Sequence, residues 1–285
     1  MLGAHERLGL MKISVIQTNS VHDKAKNIGQ AKALIEEAVA ADRPDVVVLP
    51  EVWNYRGGPA SDKLANADQI PGGPAYEALQ LLARTHKIWV HGGSMIERIA
   101  GEQRVYNTTC VFNREGHEVA RYRKIHMFDI TAPDGTPYNE SHTIKPGEAI
   151  VLYDLEGLKV GCTICYDMRF AELYITLAKR GADIIMVPSS FTLQTGKDHW
   201  DLLLRARAVE TQCYIVAPGQ YGTYLDGKGT PRPSYGHSLI ADPWGHIVAK
   251  VSDGIGFASA NIDPAQIKRV RELIPMNAHR RLKVS

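Results

Sequence analysis

No stretch of the 285-residue sequence approaches the roughly 20 apolar residues that a membrane-spanning helix needs. At its start, His5, Glu6 and Arg7 stand where a secretory signal would require an apolar run. Neither sign of charge dominates, with 33 lysines and arginines against 31 aspartates and glutamates and a net charge of +2. The longest basic cluster, Arg121-Tyr122-Arg123-Lys124, is too short to lay a positive field along a nucleic acid. Cysteine is sparse. Cys110, Cys162, Cys165 and Cys213 are too few for a disulfide framework and sit in apolar, strand-like contexts where reduced thiols behave as small hydrophobes. These shortages argue against membrane and nucleic-acid partners and point to a reducing, cytoplasmic setting. The remaining composition, 44% hydrophobic and 22% charged, is that of a globular protein with a large core.

Hydrophobic periodicity organises the chain. Met11 to Gln17 alternates as a strand, leaving residues 1–10 as an N-terminal tail without a motif. Ile28, Ala31, Leu34, Ile35, Ala38 and Val39 recur at helical spacing up to Asp42-Arg43-Pro44, where proline disfavours helix. The β-branched run Asp45 to Glu51 reads as a strand covered on both faces, which sets Glu51 at a strand end. A helix from Pro74, a strand at Ile88 to Ser94 and a hairpin of Val105 to Phe112 with Glu118 to Lys124 follow. Asp129 to Gly147 is expected as a long polar loop, a length usually reserved for function. Strands at Ile150 to Leu155 and Lys159 to Ile164 lead to a helix bearing Phe170, Leu173, Tyr174 and Leu177, then to a buried strand at Ala182 to Pro188. A helix near His199 to Gln212, a strand at Tyr214 to Pro218, a Gly/Pro-rich loop to Tyr235, a hairpin turning at Asp242 to Gly245 and a short helix with Ile267 and Val270 complete the reading. No linker divides residues 11–285, so one α/β domain is expected, with periodicity alone leaving open one sheet or two.

Cys162-Thr163-Ile164-Cys165 invites a redox or zinc reading. On a strand, however, positions three apart point to opposite faces, and no second Cys/His pair follows at ligand spacing. Cys162 therefore reads as core. Cys165 ends an apolar strand before a turn and a helix, a placement expected to expose a thiol and favour its thiolate; a buried strand cysteine is the alternative. A thiol nucleophile also needs a base and donors for a developing oxyanion. Glu51 and Lys124 occupy strand ends that could supply them, although each taken singly reads as a solvated charge.

Leu49-Pro50-Glu51, Tyr122-Arg123-Lys124-Ile125-His126 and Gly161 to Leu173, taken together in this order, resemble the nitrilase superfamily, the carbon–nitrogen hydrolases. The resemblance runs from Met11 to about Leu282. It implies an α-β-β-α sandwich, a Glu51-Lys124-Cys165 triad with Glu140 beside the lysine, and chemistry without metal or cofactor. Cys165-Tyr166-Asp167 with Arg169-Phe170 is similar to the amidase branch that contains omega-amidase and deaminated-glutathione amidase. Ser190-Phe191-Thr192 and the stretch from His199 to Tyr214 are nearer the latter. Val52-Trp53-Asn54-Tyr55 matches neither subgroup. The branch implies a small-molecule amide substrate, the side-chain amide of a short 2-oxo dicarboxylate derivative. Deaminated glutathione comes first, with 2-oxoglutaramate or 2-oxosuccinamate as the alternative. Tyr166, Arg169, Phe191 and Thr195 are the implied substrate-binding residues, Arg169 because a guanidinium fork matches a carboxylate. An ion pair of Arg169 with Asp167 or Glu172, and a core role for Phe191, stand against that. Arg205, Arg207, Glu210 and His199 read as packing or subunit contacts. A homodimer or larger homo-oligomer is expected, and a catalytically silent binding or scaffold protein on the same fold is the reading of another class.

Overall fold

In the computed structural model, which describes residues 9–282, the strand Met11–Gln17 turns Ile13 and Val15 to one side and Ile16 to the other. Val46–Val48 does the same, with Val46 and Val48 on one face and Val47 on the other. Both faces are thus apolar, and both are covered. The tail expected over residues 1–10 falls, for residues 1–8, outside the described residues.

A seven-stranded sheet runs Gly256–Ile262, Met11–Gln17, Val46–Val48, Trp89–His91, Val105–Phe112, Met95–Arg98, with Glu118–Arg123 also paired to Val105–Phe112. A six-stranded sheet runs Ile247–Lys250, Leu239–Ala241, Tyr214–Ala217, Ile184–Met186, Leu158–Cys162, Leu152–Leu155. Ile13, Val15, Val46, Val48 and Tyr122 of the first sheet share one core with Tyr153, Val160, Cys162 and Met186 of the second. On the far side of the first sheet, helices Lys24–Asp42 and Pro74–His86 bury Leu34, Ile35, Leu79 and Leu82 against Ile16, Val47 and Val90. Helices Ala171–Lys179 and Leu193–Thr211 cover the second. The result is the α-β-β-α sandwich, packed face to face. Each such buried aliphatic side chain contributes about 1.5–3 kcal/mol, so a one-residue register slip, which would reverse every face, is strongly disfavoured.

Several parts of the chain differ from the sequence reading. The polar loop from Asp129 holds a small hairpin, Asp129–Thr131 with Pro137–Asn139, followed by a 3-10 turn at Glu140–His142. The Gly/Pro-rich stretch before Tyr235 is likewise a hairpin, Tyr221–Leu225 with Pro231–Tyr235. The helix expected near His199 begins at Leu193, with Thr192 as its cap. Gly196 masks that start. The glycine belongs to the helix because a Cβ there would collide with the Tyr235 side chain. The short helix Ala60–Ala65 and two strands of the first sheet, Met95–Arg98 and Gly256–Ile262, have no counterpart in the sequence reading.

Candidate active site

The neighbouring strands Met11–Gln17, Val46–Val48 and Trp89–His91 run parallel in the first sheet, and Leu158–Cys162, Ile184–Met186 and Tyr214–Ala217 run parallel in the second. Beyond their carboxyl ends lie Glu51, Cys165, Ser190 and Gln220, the end of an α/β sheet where ligands collect. The two sheets are joined there by a parallel bridge between Thr18 and Gln220, and a second bridge, between Ser189 and Gly219, extends the pairing within the second sheet. Gln220 Nε2 donates to the Glu51 carbonyl at 3.0 Å, which fixes the backbone at that strand end. Val52 next to it takes φ 46°, and Cys165 itself takes φ 48°. Left-handed backbone at non-glycine residues costs of order 1 kcal/mol each and clusters where a side chain must be aimed.

Lys124 follows the strand Glu118–Arg123, and alternation explains its direction. Tyr122 and Lys124 share a face, whereas Arg123 turns away to pair with Glu97 at 2.6 Å. Lys124 is 1% exposed. Its ammonium donates to Glu51 Oε1 at 2.9 Å and to both Glu140 oxygens at 2.9 and 2.8 Å. Asn107 Nδ2 also donates to Glu51 Oε1, at 2.9 Å, so both of these bonds fall on one oxygen of that carboxylate. Glu140 is set by the Phe128 N–H at 2.7 Å. Burial opposes the charge on Lys124, but Glu140 and Glu51 outweigh it and hold the lysine well above its ordinary range. Lys124 is therefore a fixed cation between two carboxylates.

Cys165 opens a 3-10 turn, Cys165–Arg169, in the place of the expected turn, and the helix after it starts only at Ala171. The helix end is thus too far along the chain to favour a thiolate. Burial and the Glu51 carboxylate push the thiol well above the ordinary cysteine range, against the opposing pull of Lys124 and the Ser190 N–H. The sequence expectation of a favoured thiolate is corrected accordingly: the resting sulfur carries its proton. Alkylation of Cys165 by iodoacetamide, followed by mass spectrometry, should keep accelerating as pH rises past about 8.5, the ordinary cysteine value. A rate that levels off below neutrality would instead reveal a preformed thiolate. The turn is held by Asp167, fully buried, which accepts from the Ile164 N–H at 2.9 Å, the Tyr122 hydroxyl at 2.7 Å and the His126 N–H at 3.0 Å. Cys162 lies in the inter-sheet core, and all four cysteines are free and buried. Among the described residues, no group of three His, Cys, Asp or Glu is placed to hold a metal.

Glu51, Lys124, Glu140 and Cys165 face one cavity of about 310 Å³, together with Tyr166, Phe191 and Thr195. Phe191 packs edge-on against Trp200 with ring centroids 5.0 Å apart, and Tyr166 against Phe128 at 5.2 Å. Arg169 is not among the lining residues. Its guanidinium stands 5.9 Å from the Tyr166 ring and 5.6 Å from the Phe191 ring, and its Nη2 is 3.3 Å from His199 Nδ1. It pairs with neither Asp167 nor Glu172. Arg207 donates to the Met168 carbonyl at 2.8 Å and to Glu210 at 2.6 Å, packing as the sequence suggests. The cavity also draws in Arg56, Lys63, Ser190 and Ser234, to which the sequence reading assigns no role. The one sequence signal near Arg56 is that Val52-Trp53-Asn54-Tyr55, just before it, departs from both amidase subgroups.

The sequence pattern of the family described as carbon-nitrogen hydrolase matches residues 12–272. A deaminated glutathione amidase of Synechocystis is 38% identical over 94% of this chain and 97% of its own length. An omega-amidase of Danio rerio is 36% identical over 95% of this chain and 94% of its own. The crystal structure of Saccharomyces cerevisiae Nit3, a member of the nitrilase superfamily, is similar with a TM-score of 0.85 at 31% identity, covering 98% of this chain and 99% of that one. The sandwich, with its sequence matched nearly end to end, places the chain in the carbon–nitrogen hydrolase family, the nitrilase superfamily.

Proposed function

We propose that the protein is a cysteine-dependent amidase acting on the side-chain amide of a short 2-oxo dicarboxylate derivative, with deaminated glutathione as its substrate. The observation that carries this reading is the Lys124 ammonium clamped between two carboxylates in the cavity that holds Cys165. A lysine so held is a fixed donor for an oxyanion and a poor base. Glu51 gives Oε1 to Lys124 and Asn107, which leaves Oε2 for proton transfer. A thiol that rests protonated calls for such a base at the moment of attack.

Glu51 takes the thiol proton as Cys165 Sγ attacks the amide carbon. Lys124 and the Tyr166 N–H stabilise the oxyanion, and Glu51 returns the proton to the leaving amine as the carbon–nitrogen bond breaks. A thioester remains. Water then adds to it, giving its proton to Glu51, and the carbon–sulfur bond breaks to release the acid and restore the thiol. Glu140 positions Lys124 throughout. Tyr166, Phe191 and Thr195 line the acyl side, with Arg169 behind the first two. No metal or cofactor takes part in these steps.

The cavity rim includes Gly57, Asp226 and the exposed Gly227, so a peptide leaving group can extend outward. Likeness to the Danio rerio enzyme favours a second reading, an omega-amidase acting on 2-oxoglutaramate or 2-oxosuccinamate. The two part on the amine released. Deaminated glutathione should yield cysteinylglycine, read by mass spectrometry, with kcat/KM at least ~10-fold above that for ammonia release from 2-oxoglutaramate, about 1.4 kcal/mol of extra transition-state binding. The reverse ratio selects the omega-amidase. Inertness toward both would leave a silent scaffold.

No helix among the described residues is long and apolar enough to cross a membrane. A cytoplasmic setting belongs to the same proposal, since four reduced, buried cysteines suit a reducing compartment. So does self-association: Leu202, Val209 and Trp244, 66%, 47% and 46% exposed, are apolar side chains that a second copy would cover.

A further inference from the structure

Lys124, Arg232, Arg56 and Lys63 line the cavity with Glu51, Glu140 and Asp226, and the pairing leaves two cations over. Lys124 engages Glu51 and Glu140, and Arg232 engages Asp226 at 2.9 Å. Among the described residues, Arg56 and Lys63 are paired with no carboxylate. Lys63 donates to the Thr143 hydroxyl at 2.9 Å. Arg56 Nη2 donates to the hydroxyls of Ser190 and Ser234 at 2.5 and 2.6 Å, and its guanidinium lies over the Tyr224 ring, 4.0 Å from the centroid.

The Arg56 site is built rather than incidental. The residue is only 7% exposed, and among the described residues its Nη1 has no hydrogen-bond partner. Leaving a buried guanidinium half-satisfied is unfavourable, and a ligand that supplies the missing negative charge removes the penalty. Ser190 and Ser234 accept from Arg56, so each keeps its own hydroxyl proton to donate elsewhere. Ser190 also lines the cavity together with Cys165, so the arginine's hydroxyl partner stands in the same chamber as the nucleophile.

We propose that Arg56, with the hydroxyls of Ser190 and Ser234, is a specificity-determining clamp for a substrate carboxylate, selecting anionic amides over uncharged ones. This rests on the amidase reading above. It goes beyond that reading by assigning the carboxylate to a residue on the loop after Glu51, where Arg169 stands outside the cavity wall. Lys63 adds its charge to the same field.

Glutaramate and pentanamide isolate the carboxylate, since they share a five-carbon chain and amide and differ in nothing else. Arg56→Met should reduce the glutaramate-to-pentanamide ratio of kcat/KM by about 10- to 100-fold, the range lost with a hydrogen bond to a charged group, and mainly through KM. Arg56→Lys, which keeps the charge and loses the fork, should fall between. A second readout needs no turnover: glutarate should protect Cys165 from iodoacetamide, and Arg56→Met should need about 10-fold more glutarate, again the loss of one charged hydrogen bond. Thermal melting establishes that each variant is folded, and Arg56→Lys carries the test if Arg56→Met is not. An unchanged ratio with unchanged protection overturns the clamp. So does collapse of the ratio in Arg169→Met with Arg56→Met unaffected. Failure of the amidase reading looks different: wild type hydrolyses neither amide, whatever glutarate does to the thiol.

Discussion

Cys165→Ala should lower turnover of the amide substrate by at least ~10⁴-fold, in line with what removing a catalytic nucleophile does elsewhere, while the folded state persists. The substitution deletes one sulfur from a residue that is 6% exposed at the cavity wall, and the turn around it is held by Asp167 and by the Cys165 N–H donating to the Pro188 carbonyl at 2.9 Å. None of those bonds uses the thiol. Cys162→Ala is the matched control, three residues away in the inter-sheet core. It should keep its rate and lose about 0.5–3 kcal/mol of stability, the ordinary cost of a core truncation. Product formation by mass spectrometry and melting by circular dichroism read the two effects separately. A Cys165→Ala protein that still turns over, beside an inactive Cys162→Ala, would shift the nucleophile onto the strand and sink the assignment.

The contrast between those two cysteines also shows what a sequence carries plainly. Period-two alternation tells Cys162 from Cys165 before any coordinates, and β-branched runs such as Val46–Val48 and Ile184–Met186 announce strands covered on both faces. The sandwich of two sheets, by contrast, came from family resemblance, because periodicity counts strands but does not pair them. Glu51 and Lys124 were legible as strand-end charges, yet the contact between them spans 73 residues of sequence and depends on how the two strand ends are brought together. Local composition misled in other places. Pro137–Asn139 is a three-residue strand beginning with proline, too short to show alternation, so the hairpin that presents Glu140 read as loop. Arg56 sits in Asn54-Tyr55-Arg56-Gly57-Gly58, a run that reads as a solvated turn. Its burial is made by Ser190 and Ser234, 134 and 178 residues further on, and by Tyr224. The protonated thiol was hidden for a similar reason: a strand-to-turn junction suggests a thiolate, whereas burial of the sulfur, together with the Glu51 carboxylate supplied by the other sheet, reverses that preference.

Glu51→Gln and Lys124→Met should each reduce kcat by at least ~100-fold, the scale on which a general base or an oxyanion donor contributes. The two losses should not add. Glu51 and Lys124 are 4% and 1% exposed and share Oε1 at 2.9 Å, so each substitution also disturbs its partner. Lys124→Met leaves the buried Glu51 and the partly buried Glu140 without the cation between them, which favours protonating a carboxylate and removes the base along with the donor. Glu51→Gln removes the base but leaves Lys124 held by both oxygens of Glu140. The double variant should therefore be no more than about 10-fold slower than Lys124→Met alone, as groups acting as a unit behave. Stability should follow the same geometry: Lys124→Met, which breaks the buried pair with Glu51 and the partly buried pair with Glu140, should cost more than Glu51→Gln, on the order of 3–5 kcal/mol. Single-turnover rates and denaturant melts on the three proteins decide it. Multiplicative losses in kcat would show that base and donor act independently, and the shared-oxygen account of the pair would have to be given up.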